Sequence, residues 1–412
     1  FRNSSLTNTQ LILYVNVVTN IVNEMKKQIL LFAAITIFSC SNNSDSLDNS
    51  NEENTTDDFT EFILPECVDF VEFSINSSLL LHLRALGYDT NNDGKISCEE
   101  AANVIELDLF DDKRIPNLKG IESLVNLKKI EGTLNMNGRT ANFYNNINLE
   151  EILFNTVLNS SNNISSHVST VVLPNSNSLK KINFSRTVVS ELLNTSNQNS
   201  LESIIMSSQT GLRGYLDLEN CINLTDVNLY GCHIEKIILG NHPNLNELNL
   251  YSNKLRTIDL TGLPALEKIN LNFNSIDNLN IMNNLSLKNL EARGNWIPNI
   301  DLSNNESLEK IDLSENRLVN LDLNTNIQLT NLDLEKNDIA SLNLSENINL
   351  EGIDLRENKL NFLQVNNGNN ENIFGINTTN NPDLYCIKID LNFNPDNNWV
   401  KDDIAIYSSN CN

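Results

Sequence analysis

Asp89, Asn91 and Asp93 place side-chain oxygens at alternate residues, Gly94 follows them, and Glu100 completes the run. Between these, Lys95 offers its backbone carbonyl, Ile96 is an apolar anchor, and Ser97 can hold a bridging water. Hard oxygen donors set around a glycine that permits a sharp turn suit calcium, which takes roughly six to eight oxygens in a flexible geometry. Glu100 can close such a set as a bidentate carboxylate. The expected ligands are Asp89, Asn91, Asp93, Lys95 and Glu100, with calcium as the cofactor.

The stretch Asp89–Glu100 resembles an EF-hand loop, and its flanks agree. Leu79 to Leu86 reads as an incoming helix, and Glu99 to Ile105 as an outgoing one. A calcium sensor pairs two such loops and exposes a methionine-rich groove. This chain has one loop and only 4 methionines, so a structural calcium is expected, with a regulatory one as the alternative.

No enzymatic constellation accompanies the loop. G-x-S-x-G, H-E-x-x-H, C-x-x-C and a glycine-rich phosphate loop are all missing from the sequence. His82, His167, His233 and His242 are scattered without a nucleophile or a ligand set. Carboxylate pairs follow from the composition, so none singles out a glycosidase. The chain is expected not to be an enzyme, with a hydrolase as the remote alternative. Its 412 residues carry 28 basic and 53 acidic side chains, a formal charge of −25, which opposes nucleic acid and bare anionic membranes as partners. Seven cysteines are too few for a disulfide scaffold of this length, and 40% apolar residues can bury a core. Asparagine makes up roughly a fifth of the chain, an excess that the usual composition does not explain.

The elements that position these residues follow from an internal period. Leu224, Leu245, Leu266, Leu287, Leu308, Leu329 and Leu350 recur every 21 residues, and Asn253, Asn274, Asn295, Asn316, Asn337 and Asn358 keep the same step. Cys232 holds the equivalent place one turn earlier. Leu127, Leu149, Leu179 and Leu201 extend the pattern towards the N-terminus with irregular spacing. The unit L-x-x-L-x-L-x-x-N-x-L is the leucine-rich repeat signature. One coil cannot bury its leucines alone, but stacked coils share an apolar interior and each adds a strand to a parallel sheet. The inward asparagine can pair backbone groups that would otherwise be buried unsatisfied. A second column, Asn284, Asn305, Asn326 and Asn347, predicts extended backbone on both sides of each coil rather than long helices. The expected fold is a leucine-rich repeat solenoid, rich in parallel strands, with about eleven coils.

The residues around each central strand leucine should face outward and form a concave surface. One column reads Asn228, Asn249, Asn270, Glu291, Asp312, Asp333 and Asp354; the next reads Tyr230, Tyr251, Asn272, Arg293, Ser314, Glu335 and Arg356. Tyr230, Tyr251 and, just past the column, Phe273 suit stacking on a sugar or packing on a protein, and the later coils offer a carboxylate ladder edged by Arg293 and Arg356. Outward positions must be polar in any soluble solenoid, so the acidic column also reads as a solvated face. The candidate ligand residues are these three aromatics with Arg293, Asp312, Asp333, Glu335, Asp354 and Arg356.

From Cys67 onward the chain resembles secreted leucine-rich repeat proteins of Bacteroidetes and, more distantly, internalins. The resemblance rests on the calcium loop, the run Leu118 to Glu122, units such as Ile311 to Asn316, and the ending Asn381 to Cys386. It implies a capped solenoid with a disulfide between Cys386 and Cys411 closing the C-terminal cap, and a second pairing open between Cys67 and Cys98. Met25, two lysines and an apolar run to Phe38 read as a secretory signal too short to span a membrane. Ile37 to Cys40 resembles a lipobox, which implies lipidation of Cys40; ordinary cleavage near Ser39 is the alternative. The expected organisation is a stretch over 1–24 read as an over-extended reading frame, with a genuine extended leader as the alternative, a signal over 25–39, a polar tether over 40–62 and an N-terminal cap over 63–110, then repeats over 111–380 and a C-terminal cap over 381–412. The reading is an exported, monomeric, lipid-anchored recognition module for a protein or glycan at the outer membrane or cell surface. An envelope scaffold is the alternative.

Overall fold

In the computed structural model, the described residues are 71 and 78–411, except 110–114, 116, 133–135, 137, 155–165, 186, 208–211 and 213. The leader, the signal, Cys40, the tether and Cys67 lie outside them. Among the described residues no helix is long and apolar enough to cross a membrane.

The period becomes a parallel β-solenoid. One sheet of 14 strands, all paired parallel, starts at Glu106–Leu109 and ends at Trp399–Val400. In the regular part its register is the sequence period: Val227 stands opposite Leu248, Leu248 opposite Ile269, Ile269 opposite Leu290, and Leu290 opposite Ile311. The fourteen strands exceed the expected eleven coils because both caps are themselves coiled. Glu106–Leu109 pairs with Lys129–Gly132, and Trp399–Val400 pairs with Gly375–Asn377. The other side of the coils is also extended. It carries a three-stranded sheet early, a two-stranded one (Gly214–Asp217 with Ile234–Ile238), and a four-stranded one ending at Ile406–Ser408.

The interior is one continuous leucine and isoleucine stack. Leu245, Leu266, Leu287, Leu308, Leu329 and Leu350 are all fully buried. In the irregular early coils phenylalanines fill the same space, with Phe154 stacked on Phe184 at 5.8 Å and near Phe143 at 6.2 Å. The asparagine column is built as a double clamp. Asn295 Nδ2 donates to the carbonyls of Leu271 (2.9 Å) and Ala292 (3.1 Å), and its Oδ1 accepts the Ile276 N–H at 3.0 Å. Thr187 takes the equivalent role in an early coil, its hydroxyl donating to Phe154 O at 3.0 Å.

Among the described residues α-helices lie only at the N-terminal end, at Ser78–Ala85 and Cys98–Ala102, while single 3-10 turns recur at Ile121–Ser123, Thr195–Asn197 and Asn370–Asn372. The second stops short of the expected Ile105, because Asn103 caps it and the chain enters the strand Glu106–Leu109. At the other end Cys386 and Cys411 form a disulfide across 25 residues with Cα atoms 6.0 Å apart. Cys98 is disulfide-bonded as well. Asp390 and Asp402 finish the C-terminal cap: Asp390 accepts the N–H groups of Gly368 and Asn370, and Asp402 those of Asn380 and Asn381.

Candidate functional site

The outward face of the long sheet is shaped by one backbone device repeated in most of the regular coils; after Glu291 it is replaced, the Arg293 N–H going to Asn272 Oδ1 of the preceding coil at 2.7 Å. An Asn or Asp ending the strand accepts the N–H two residues on: Asn249 from Tyr251, Asn270 from Asn272, Asp312 from Ser314, Asp333 from Glu335 and Asp354 from Arg356, each at 3.0–3.1 Å. The next residue is left-handed, at Ser252, Phe273, Gly294, Glu315, Lys336 and Glu357 with φ between 53° and 66°. That conformation aims its N–H forward, so Ser252 reaches Asn272 O and Glu315 reaches Glu335 O. The acidic column is therefore first a turn-forming column, in which Asn and Asp serve alike. Asp259, Asn280, Asp301, Asp322 and Asn343 make the same turn on the opposite side of the coils.

The turn also corrects the expected outward pointing of the second column. Tyr230 is exposed, Tyr251, Arg293 and Arg356 are partly so, but Asn272, Ser314 and Glu335 are buried. They sit in the crease between the strand and the left-handed residue, where the neighbouring coil covers them.

Two chemical sectors remain, as the sequence suggests. The first is aromatic. Tyr230 and Tyr251 have ring centroids 4.9 Å apart, and Phe273 meets Tyr251 edge-on at 5.4 Å. Trp296, not singled out by the repeat pattern, is exposed further along with Arg317 over its ring at 5.4 Å. The second sector is acidic. Oxygens of Asp333, Glu335 and Asp354 lie within 4.8 Å of one another. Arg356 bridges Glu335 (3.3 Å) and Asp354 (2.8 Å), and Arg293 pairs with Glu315 (2.8 Å). Beside them lies a shallow depression of about 380 Å³, walled by Lys310, Asn331, Asp312, Asp333 and Asp354 and opened by the missing side chain of Gly352. Burial pushes the Asp333 carboxyl up to about 6; the Glu335 N–H opposes this, and Asp312, Asp354 and Glu335 add to it.

The expected calcium loop is wound around Asp89, which is buried. Its carboxylate accepts the N–H groups of Asp93 (3.1 Å) and Gly94 (3.0 Å). Asn91 accepts from Asp93 N and Asp93 from Lys95 N, at 2.9 and 2.8 Å. Asn92 (φ 58°) and Gly94 (φ 86°) take the two left-handed positions. Glu100 caps the second helix reciprocally with Ser97 and also accepts the Thr90 N–H and hydroxyl at 2.7 Å. Those donors hold its carboxyl well down, at about 2. Arg84 stands beside Asp89 at 3.1 Å. The donor set is all hard oxygen, which fits calcium, although Glu100 would exchange its present hydrogen bonds to chelate.

No protein-family model matches this sequence, and no curated protein matches it. In three dimensions the chain is similar to an internalin from Listeria monocytogenes at 16% identity, covering 81% of this chain and 95% of that one, with a TM-score of 0.46. It is also similar to the functional domain of InlJ from the same organism (18% identity, 72% and 70% covered, TM-score 0.46). A third likeness is to a leucine-rich repeat protein of Leptospira interrogans (15% identity, 76% and 97% covered, TM-score 0.40).

Proposed function

We propose that this chain is a non-catalytic recognition module that binds a protein or glycan through the outward face of its long sheet. The observation that carries the reading is the chemical unevenness of that face. Three aromatic residues gather on consecutive coils from Tyr230 to Phe273, and a carboxylate ladder follows from Asp312 to Asp354. A face that merely stayed soluble would not need clustered, exposed rings. The scaffold reading draws support from a different observation, the turn-forming role of the acidic column, which accounts for Asn and Asp there without any ligand.

Calcium would be held by Asp89, Asn91, Asp93, the Lys95 carbonyl and Glu100, as a structural ion that stiffens the N-terminal cap. The cap uses the loop internally: Ile96 is fully buried, as are Leu79 and Leu83 of the first helix, and its carbonyl accepts the Val71 N–H at 3.0 Å. Export and lipidation at Cys40 belong to the same reading. An array of glycans and proteins probed with the chain, with calcium and with chelator, tests it. Binding that disappears in Asp312→Asn with Asp333→Asn, or in Tyr251→Ala, is expected; indifference of every ligand to all of these favours the scaffold.

A further inference from the structure

The ring geometry discriminates between the two ligand classes. Tyr230 and Tyr251 lie one over the other with planes 33° apart, and Phe273 closes the row at 69° to Tyr251. The facing sides of Tyr230 and Tyr251 are thus taken up by one another, and Tyr251 and Phe273 meet edge to face, so the row packs ring on ring along the solenoid. Sugars dock on a free aromatic face, whereas apolar protein side chains pack readily on edges and rims.

Phe273 is the strained member. Its φ of 55° is a genuine outlier for a bulky residue, and 42% of it is exposed. Its ring lies over Gly294, where an added Cβ would come within 2.8 Å of Cδ1. The backbone does not require phenylalanine here, because Ser252, Glu315 and Lys336 hold the same conformation in neighbouring coils. Two coils therefore cooperate to present one exposed ring in a costly conformation, a pattern that marks functional sites. In the following coils the corresponding turn carries Ser314 and Glu315, then Glu335 and Lys336, so the aromatic row is a local departure from a polar rim.

Resting on the recognition reading above, we infer that Tyr230, Tyr251 and Phe273 anchor a basic protein segment, whose apolar side chains pack on this row while its Arg or Lys side chains reach the Asp312–Asp333–Asp354 sector. Charge complementarity favours that occupant. The sector begins two coils beyond Phe273, about 10 Å away at the spacing of neighbouring strands, within reach of one extended segment. The chain's charge of −25 would draw in a cationic segment and repel an acidic one.

Calorimetric titration of the full chain with a short peptide of alternating arginine and leucine, its glutamate–leucine counterpart and a linear glucose oligosaccharide tests this. The basic peptide is expected to bind, and to lose about tenfold or more in Tyr251→Ala and in Phe273→Gly. Phe273→Gly separates binding from folding, because relief of the left-handed strain should raise its melting temperature while affinity falls. Oligosaccharide binding that depends on Tyr251, or failure of the basic peptide to bind, overturns the partner class. Peptide binding untouched by Tyr251→Ala and Phe273→Gly but weakened by Asp312→Asn with Asp333→Asn removes the aromatic anchor and leaves the recognition face standing.

Discussion

The amide oxygen of Asn316 accepts the backbone N–H of Ile297, 19 residues back, at 3.0 Å, while its Nδ2 donates to the carbonyls of Ala292 (2.9 Å) and Leu313 (3.0 Å). One side chain thus stitches two coils with both halves of its amide. Asn305, in the second column, uses only its donor half, to Ile281 O (3.1 Å) and Asn284 O (2.9 Å), and its Oδ1 has no protein donor. Asn316→Leu should therefore leave several buried backbone groups unpaired and cost about 3 kcal/mol, whereas Asn305→Leu should cost about half that. Nature supports the ranking, since Cys221, His242 and Leu263 occupy the second column in earlier coils. Equal losses in denaturant unfolding would contradict it.

Asp333 is expected to make the fold more stable in mild acid. Its folded carboxyl titrates at about 6 against an ordinary 3.8, so the folded state holds the proton more tightly than the unfolded chain. That contribution to stability is complete below about pH 4 and is lost as pH rises through 6. Asp333→Asn keeps the turn to the Glu335 N–H and removes the charge. It should gain about 1 kcal/mol at neutral pH, after allowance for solvent screening of a half-exposed group, and nothing at pH 4. A gain independent of pH would mean that the aspartate is not ionising under this constraint.

Glu100 runs the opposite way. Held at about 2 by the Ser97 and Thr90 donors, against an ordinary 4.5, it supplies stability that is present above pH 4.5 and fades as pH falls towards 2. Glu100→Gln should flatten that acid limb. Calcium at a hundredfold excess over its dissociation constant should add about 2.7 kcal/mol to wild type and much less to the variant. Melting that ignores both calcium and chelator would remove the ion from the N-terminal cap.

Reduction of Cys386–Cys411, which closes a span of 25 residues, should cost about 3 kcal/mol in the chain-entropy picture. In a stack of coils held mainly by nearest neighbours the loss should be local. Amide exchange is expected to speed up first in Cys386–Lys388 and Ile406–Ser408, with Lys268–Asn270 unchanged. Uniform acceleration along the whole sheet would show that the coils unfold as one unit.

Much of this was legible in residue order because period 21 is a property of the interior. Leu245 to Leu350 and Asn253 to Asn358 name the core and the clamp directly, and the register of the sheet follows from them. The aromatic row was legible for the same reason, since Tyr230 and Tyr251 fall on one column. What residue order concealed was the turn after each strand. The left-handed position tolerates Ser, Phe, Glu and Lys as well as Gly, so no residue type marks it, and the burial of Ser314 and Glu335 could not be read without it. The asparagine surplus likewise serves more than the one inward column, because strand-ending turns on both sides of the coil draw on the same side chain.

The clamps of the regular coils have one further consequence. Beyond its own coil each reaches only to the coil before it, at offsets of 19, 21 and 24 residues that repeat unchanged from coil to coil. A cut and a rejoin one period apart would therefore restore every bond at the seam. Gene recombination could lengthen or shorten the molecule like a ruler, in ticks of about 5 Å, and carry the aromatic and acidic sectors closer together or farther apart without disturbing either end.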